Sequence, residues 1–196
     1  MTNEASGFVD HQQVIVLMQD FKQVAHALRL PCLGLSSGDE MQKNVPAPRL
    51  RPATNADSAL VQKLVFNVLA EYGLAPDPDG TDADLANIES HYHQGWFAVL
   101  VVKEGVIGTV GLLPLRQGVM ELRKMYLQKE WRGQGLGKLL LRKAVAEAKG
   151  RGAKKLVLGT AGVLIEAVGL YQGQGFVLSS EPHPAARCNQ MWELAL

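Results

Sequence analysis

The chain has almost no net charge: 20 Lys and Arg stand against 19 Asp and Glu, leaving +1 over 196 residues. A nucleic-acid binder normally shows a clear basic excess, so that class is excluded. Cysteine is scarce as well. Cys32 and Cys188 are the only two, and neither falls in a Cys-x-x-Cys or Cys/His spacing. That excludes a thiolate metal centre and gives a disulfide no support, so reducing, cytoplasmic surroundings fit best. Long apolar runs are missing too. Val14 to Met18 is too short for a signal-peptide core, the first residues carry Glu4 and Asp10 instead of a basic cluster, and no stretch approaches the roughly 18 residues of a membrane span. No membrane partner is expected.

What is present is 47% hydrophobic residues, enough for one well-buried core and too few residues for two full domains. Residues 1–45 differ from the rest. Val14, Leu17, Phe21, Val24 and Leu28 fall near helical spacing, so residues 11–29 read as an amphipathic helix that Pro31 ends. Gly34, Ser36, Ser37 and Gly38 read as linker. This extension is either a docking helix, a homodimer contact included, or an appendage with no fixed structure. Met41 is a second candidate initiator within it.

From Pro46 onward the pattern becomes that of a single α/β domain, residues 46–196. A short strand at Leu50–Ala53 precedes a helix carrying Leu60, Leu64, Val65, Val68 and Leu69, capped by Asn55 or Asp57. After the turn-rich Pro76–Gly80, a second helix is expected from Thr81, as N-cap, to about His93. Strands follow at Trp96–Val102, Val106–Leu115 and Met120–Leu127. A helix then runs to about Lys149, with a strand at Lys155–Leu158, a helix at 162–172, and strands at Phe176–Ser179 and Arg187–Leu194. Hairpins in the first half and β-α-β units in the second imply a mixed sheet with helices on both faces.

Arg132-Gly133-Gln134-Gly135-Leu136-Gly137 lies between a strand and a helix. Glycines there let backbone approach a ligand, and a helix start offers unpaired N–H groups to an anion, phosphate above all. It is no Walker loop, because Leu139 follows Gly137-Lys138 and Arg132 stands where the first glycine belongs. It is no dinucleotide fingerprint either, because Lys138 replaces the third glycine.

The flanks are more specific than the loop. Glu121-Leu122-Arg123-Lys124-Met125-Tyr126-Leu127, then Arg132-x-x-Gly135-x-Gly137, then Leu170-Tyr171-x-x-x-Gly175-Phe176 together resemble the GNAT superfamily of acyl-CoA N-acyltransferases, over roughly residues 49–196. The resemblance implies a mixed, mostly antiparallel sheet of about seven strands flanked by about four helices. It implies an N-acetyltransferase that uses acetyl-CoA as co-substrate and a primary amine of a small molecule, amino acid or peptide as acceptor. A non-catalytic acyl-CoA sensor or interaction protein is the alternative.

The same resemblance implies roles. Met125, Tyr126 and Leu127 would bond the pantetheine arm through their backbone, in a gap between the fourth and fifth strands. The amides of Gly133, Gln134, Gly135, Leu136, Gly137 and Lys138 would hold the pyrophosphate. Arg132 and Lys138 are phosphate cations or solvated helix-end charges. Tyr171 is the proton donor to the leaving thiolate or a packing aromatic. Glu121 is the base that relieves the amine of its proton, or the partner of Arg123 or Lys124 in an ion pair. Where many members carry an asparagine seven residues before the tyrosine, this chain has Leu164, so that bond to pantetheine is missing or supplied from Thr160.

Other clusters carry less. His91-x-His93 invites a metal, but two helical residues two apart face different ways and no third ligand follows, so no metal is expected. Asp77, Asp79, Asp82 and Asp84 read as caps and solvated charges that would also favour a cationic amine. Trp96, Phe97 and Trp192 read as core or sheet-face residues.

Overall fold

Seven strands form one sheet in the spatial order β1-β2-β3-β4-β5-β7-β6. They are β1 (Arg49–Pro52), β2 (Trp96–Val102), β3 (Gly105–Arg116), β4 (Val119–Leu127), β5 (Lys155–Thr160), β6 (Val177–Ser179) and β7 (Gln190–Ala195). The helices are α1 (Ser58–Glu71), α2 (Ile88–His91), α3 (Leu136–Gly150) and α4 (Ile165–Gln172). The computed structural model describes residues 46–181, 185 and 187–196, all within a unit that runs from Val45 to Leu196. The helix expected at 11–29, its linker and Cys32 lie outside the described residues.

β2, one strand in from the edge, explains the layering. β2 is buried from Phe97 to Val101, and its side chains alternate between two cores. Ala98 and Leu100 pack with Leu140, Leu141, Ala144 and Ala148 of α3. Phe97, Val99 and Val101 pack with Val61, Leu64, Val65 and Val68 of α1. Period two in the strand meets helical spacing in the two helices, so the sheet is covered on both faces. Each fully buried leucine on these faces contributes about 1.5–3 kcal/mol relative to exposure.

Every neighbouring pair is antiparallel except β4 and β5, which run parallel and pair only from Val119–Glu121 to Lys155–Val157. Beyond Glu121 the two strands part. A bulge drives the separation: Thr109 lies opposite Tyr126 but Gly111 opposite Arg123, so β4 carries one extra residue there. Lys124 sits at the bulge with φ of 51°, a left-handed conformation unusual for a side chain of its size. The Thr109 hydroxyl donates to the Lys124 carbonyl at 2.7 Å and fixes the kink.

Three expectations need correction. The single helix from Thr81 to His93 is instead a 3-10 turn at Ala83–Leu85 followed by the short α2, capped by Asn87, whose side chain accepts from the Ser90 amide. Thr81 is no cap; its own amide donates to the Asp77 carboxylate at 2.7 Å. The turn breaks the helix because Asp82 and Asp84 are drawn into the interior by cations described below. Nor does Asn55 or Asp57 cap α1 with its side chain. Asp57 turns back to the Thr54 amide and to both outer nitrogens of Arg51, while Asn55 exchanges hydrogen bonds with Glu89. Finally, α4 starts at Ile165, not 162, and the last strand at Gln190, not Arg187, because Asn189 is bonded to Thr160 and Gly162 and Arg187 to Asp82.

Candidate active site

The parting of β4 and β5 opens a continuous cleft of about 540 Å³. Its walls are Leu122 to Leu127 of β4, Leu158 to Ala161 at the end of β5, the glycine turn, α4, and the end of α1. Of the residues singled out in the sequence, Glu121, Met125, Tyr126, Leu127, Arg132, Gly133, Gly135, Gly137, Lys138 and Tyr171 all line it. Gln134 and Leu136 do not: the Gln134 side chain turns back to the Glu130 carbonyl, and Leu136 packs against the core beneath α3.

At one end the chain turns through Gly133 and Gly135, with φ of 74° and 78°, before α3 begins. A Cβ on either glycine would meet nothing within 4 Å, so the space in front of this backbone is open. The first turn of α3 closes with the Leu139 amide on the Gly135 carbonyl at 3.0 Å. The amides just before it therefore present the positive end of a 15-residue helix to the cleft. Arg132 is anchored beside them. Its guanidinium meets Glu71 at 2.8 Å and the Leu127 carbonyl at 3.0 Å, and lies over the Tyr72 ring. Its Nη2 is buried and has no hydrogen-bond partner among the described residues. An orphaned guanidinium donor beside a helix start suits a phosphate oxygen.

At the other end, Tyr171 is buried and its ring packs on Phe176 at 5.7 Å between centroids. The glycine-rich turn that follows folds back so that the amides of Gln174 and Phe176 both donate to the Tyr171 carbonyl. Burial pushes the Tyr171 phenol well above its ordinary value, with Tyr126 and Cys188 adding to the effect. Tyr126 is pushed up by burial to about 12, against a smaller opposing pull from Arg187. Both phenols therefore keep their protons through neutral pH. The sign for stability follows: the Tyr126 contribution is complete below pH 10, the unfolded value, and is lost as pH rises toward about 12. A difference titration against Tyr126→Phe should show this phenol ionising near pH 12. Ionisation near the ordinary value would mean that solvent reaches the ring.

Several charges here escaped the sequence reading. Lys124 is buried and bonds Asp82 at 2.5 Å, the Thr81 carbonyl at 2.7 Å and, more loosely, Asp84 at 3.3 Å. Arg187 grips the same Asp82 with both outer nitrogens, at 2.7 and 2.5 Å. Burial works to raise the Asp82 carboxyl, but the bonds from Arg187 and Lys124 outweigh it and hold it far below the usual carboxylate range. Asp84 accepts from the Tyr92 hydroxyl at 2.7 Å. Asp82 and Asp84 are thus neither solvated nor turned to the cleft, whereas Arg123, Lys124 and Arg187 line it. Glu121 pairs with Arg123 at 3.8 Å, and Lys124 pairs elsewhere. Removing one member of a buried ion pair costs roughly 3–5 kcal/mol, so Lys124→Met should destabilise the fold by about 3 kcal/mol, the low end because Arg187 remains. Urea denaturation checks this; a loss under about 1 kcal/mol would mean Arg187 alone balances Asp82.

The remaining candidates fall outside the cleft or stay minor within it. His91 and His93 are exposed, each bonded through Nδ1 to a backbone carbonyl of α2 or its cap, and no group of metal-ligating side chains occurs among the described residues. Thr160 lines the cleft, its hydroxyl making only a 3.5 Å contact to the Ala161 carbonyl, and Leu164 is beside it. Cys188 carries a free, half-buried thiol. Phe97 and Trp192 are core residues as expected.

Residues 63–176, more than half of the chain, match the Acetyltransferase (GNAT) family. The chain belongs to that family. This acetyltransferase is 37% identical over 137 residues to the uncharacterised N-acetyltransferase YjgM of Escherichia coli K12, covering 66% of this chain and 82% of that one. It spans about half or less of the human and rat N-acetyltransferases 8B that it also matches. Among solved structures, a GNAT-family acetyltransferase from Staphylococcus aureus Mu50 superposes with a TM-score of 0.71 at 24% identity, covering 76% of this chain and 99% of that one. A putative acetyltransferase from Salmonella typhimurium, solved with its cofactor acetyl-CoA, superposes with a TM-score of 0.62 at 18% identity, covering 76% and 94%. The seven-stranded sheet and four helices among the described residues are the fold of these neighbours. Among the described residues, no helix is long and apolar enough to cross a membrane.

Proposed function

We propose that this acyl-CoA-dependent enzyme acetylates a primary amine of a small molecule, amino acid or peptide by direct attack on the thioester of acetyl-CoA. The observation that carries the reading is the single cleft between β4 and β5, with the glycine turn at one end and Glu121 and Tyr171 toward the other. Acetyl-CoA, the co-substrate, supplies the activated acetyl group. The amides from Gly133 to Lys138 and the orphaned Arg132 Nη2 would hold its pyrophosphate, with Lys138 adding charge at the rim. The backbone of Met125, Tyr126 and Leu127, past the bulge, would bond its pantetheine arm like an added strand.

Glu121 takes a proton from the incoming ammonium, directly or through water, so that a neutral amine attacks. The Met125 amide donates to the carbonyl oxygen as negative charge develops there, an effect worth about 3–4 kcal/mol in other enzymes. As the C–N bond forms and the C–S bond breaks, Tyr171 gives its proton to the departing sulfur. The nitrogen passes its surplus proton, through water, to the Tyr171 phenolate, and Glu121 releases the first proton to solvent, leaving an amide, a free thiol and both side chains restored. Cytoplasmic surroundings are consistent with the free Cys188 thiol. The test is thiol release from acetyl-CoA with a panel of amines, amino acids and peptides. Release that depends on acceptor supports the reading. Tight acetyl-CoA binding with no acceptor-dependent release from any class would favour a sensor instead.

A further inference from the structure

We propose that the acceptor is a free amino acid, with its carboxylate on Arg123 and its amine on Glu121. The inference deepens the acetyl-transfer reading and rests on it. Three cations line the acceptor end of the cleft, but two of them are already committed. Arg187 spends its fork on Asp82, and Lys124 spends its ammonium on Asp82 and the Thr81 carbonyl. Arg123 is different. Its nearest partners are the Thr81 carbonyl at 3.4 Å, Asp84 at 3.6 Å and Glu121 at 3.8 Å, all longer than the 2.7–2.9 Å usual for charge-assisted bonds. A guanidinium only 24% exposed with every contact long is one whose donors await an acceptor. Its planar fork suits a carboxylate in particular.

The neighbouring charges narrow the class. Among the described residues, Arg123, Lys124 and Arg187 stand beside Glu121, Asp82 and Asp84, three charges of each sign. A polyamine would meet the three cations that line the cleft. A dianion would meet Glu121. A zwitterion meets neither penalty, because its ammonium faces Glu121 and its carboxylate faces Arg123. Those two protein groups are 3.8 Å apart, and an amino acid carries its amine and carboxylate on a single carbon, at comparable separation. The amine so placed lies beside the base that the reaction needs. Size agrees as well: the 540 Å³ is shared with the pantetheine arm, which leaves room for a small acceptor.

The experiment uses the full chain with acetyl-CoA and follows thiol release. Each of the common amino acids is compared with its carboxamide and with the amine lacking the carboxylate. The expected result is a kcat/KM at least about 10- to 100-fold higher for the best amino acid than for its carboxamide, the range for losing a charged hydrogen-bond partner. Arg123→Met should bring that ratio close to one, and Arg123→Lys should retain part of it. Wild-type enzyme that uses the carboxamide or bare amine as well as the acid overturns the proposal, although acetyl transfer stands. A ratio that survives Arg123→Met overturns Arg123 as the holder. If acetyl-CoA binds but nothing turns over, amino acids are titrated into enzyme saturated with coenzyme A; no heat from any of them also overturns it. Failure to bind acetyl-CoA would remove the acetyl-transfer reading itself, and this proposal with it.

Discussion

Replacing Tyr171 by Phe should lower kcat by about 10²–10⁴-fold while acetyl-CoA still binds within a few fold. The ring stays, so the contact with Phe176 and the turn through Gly175 survive. Only the hydroxyl goes. That hydroxyl matters most when negative charge gathers on sulfur, so kcat should fall more than KM rises. Its high pKa makes it a weak acid toward solvent, yet a thiolate expelled beside it in a buried site is a strong proton acceptor. Single-turnover kinetics make the test, because they isolate the chemical step from product release. A variant with near-normal single-turnover rate would reduce Tyr171 to a packing residue, with water protonating the thiolate.

Gly135→Asp should abolish acetyl-CoA binding, and it acts by two routes. At φ of 78° any residue with a Cβ is strained, by roughly 1–2 kcal/mol, an amount the fold can survive. The larger effect is on the ligand. The Cβ would project into the open space before the helix start, and its carboxylate would bring negative charge to the proposed pyrophosphate site. Gly135→Ala separates the two, since it carries the strain without the charge and should bind acetyl-CoA better than the Asp variant. Calorimetry on the folded proteins decides. Unchanged affinity in Gly135→Asp would move the pyrophosphate site away from this turn.

The sheet and the glycine turn were legible because both rest on local pattern. The unbroken apolar run Trp96–Val102 is the mark of a strand buried on both faces, Met120–Leu127 begins with two-residue alternation, and Gly133 and Gly135 mark a backbone that must turn left-handed just ahead of a helix. The buried charges were not legible. Asp82 meets Lys124 across 42 residues and Arg187 across 105, and no local spacing announces such pairs. Read locally, Asp77 to Asp84 is a polar run that suits caps and solvent, and it predicts a continuous helix from Thr81. One hint was available: Lys124 interrupts the strand's own alternation, standing where an apolar side chain would normally go. A lysine in that place needs an anion, and two carboxylates are found in the interior beside it. Arg132 shows the opposite case. Its position was legible, but its tie to Glu71 at the end of α1 depends on how α1 lies beside the cleft.

The two ends of the cleft are fastened unequally, and this sets which of them breathes. Around Asp82, a loop, the β4 bulge and the segment at Arg187 are knotted by ionic bonds away from water, so they must open together or not at all. Across the proposed coenzyme end, the hydrogen bond that reaches α4 among the described residues is an exposed one, from the hydroxyl of Tyr72, just past α1, to Glu166 at 3.1 Å. Such a bond is exchanged readily for water. Amide hydrogen exchange should therefore find the backbone around Thr81, Lys124 and Arg187 slow and concerted. The start of α4 should exchange early and on its own. On the proposed reading of the cleft, the molecule would yield where a long, flexible nucleotide has to thread in and stay rigid where two reacting atoms have to be aligned.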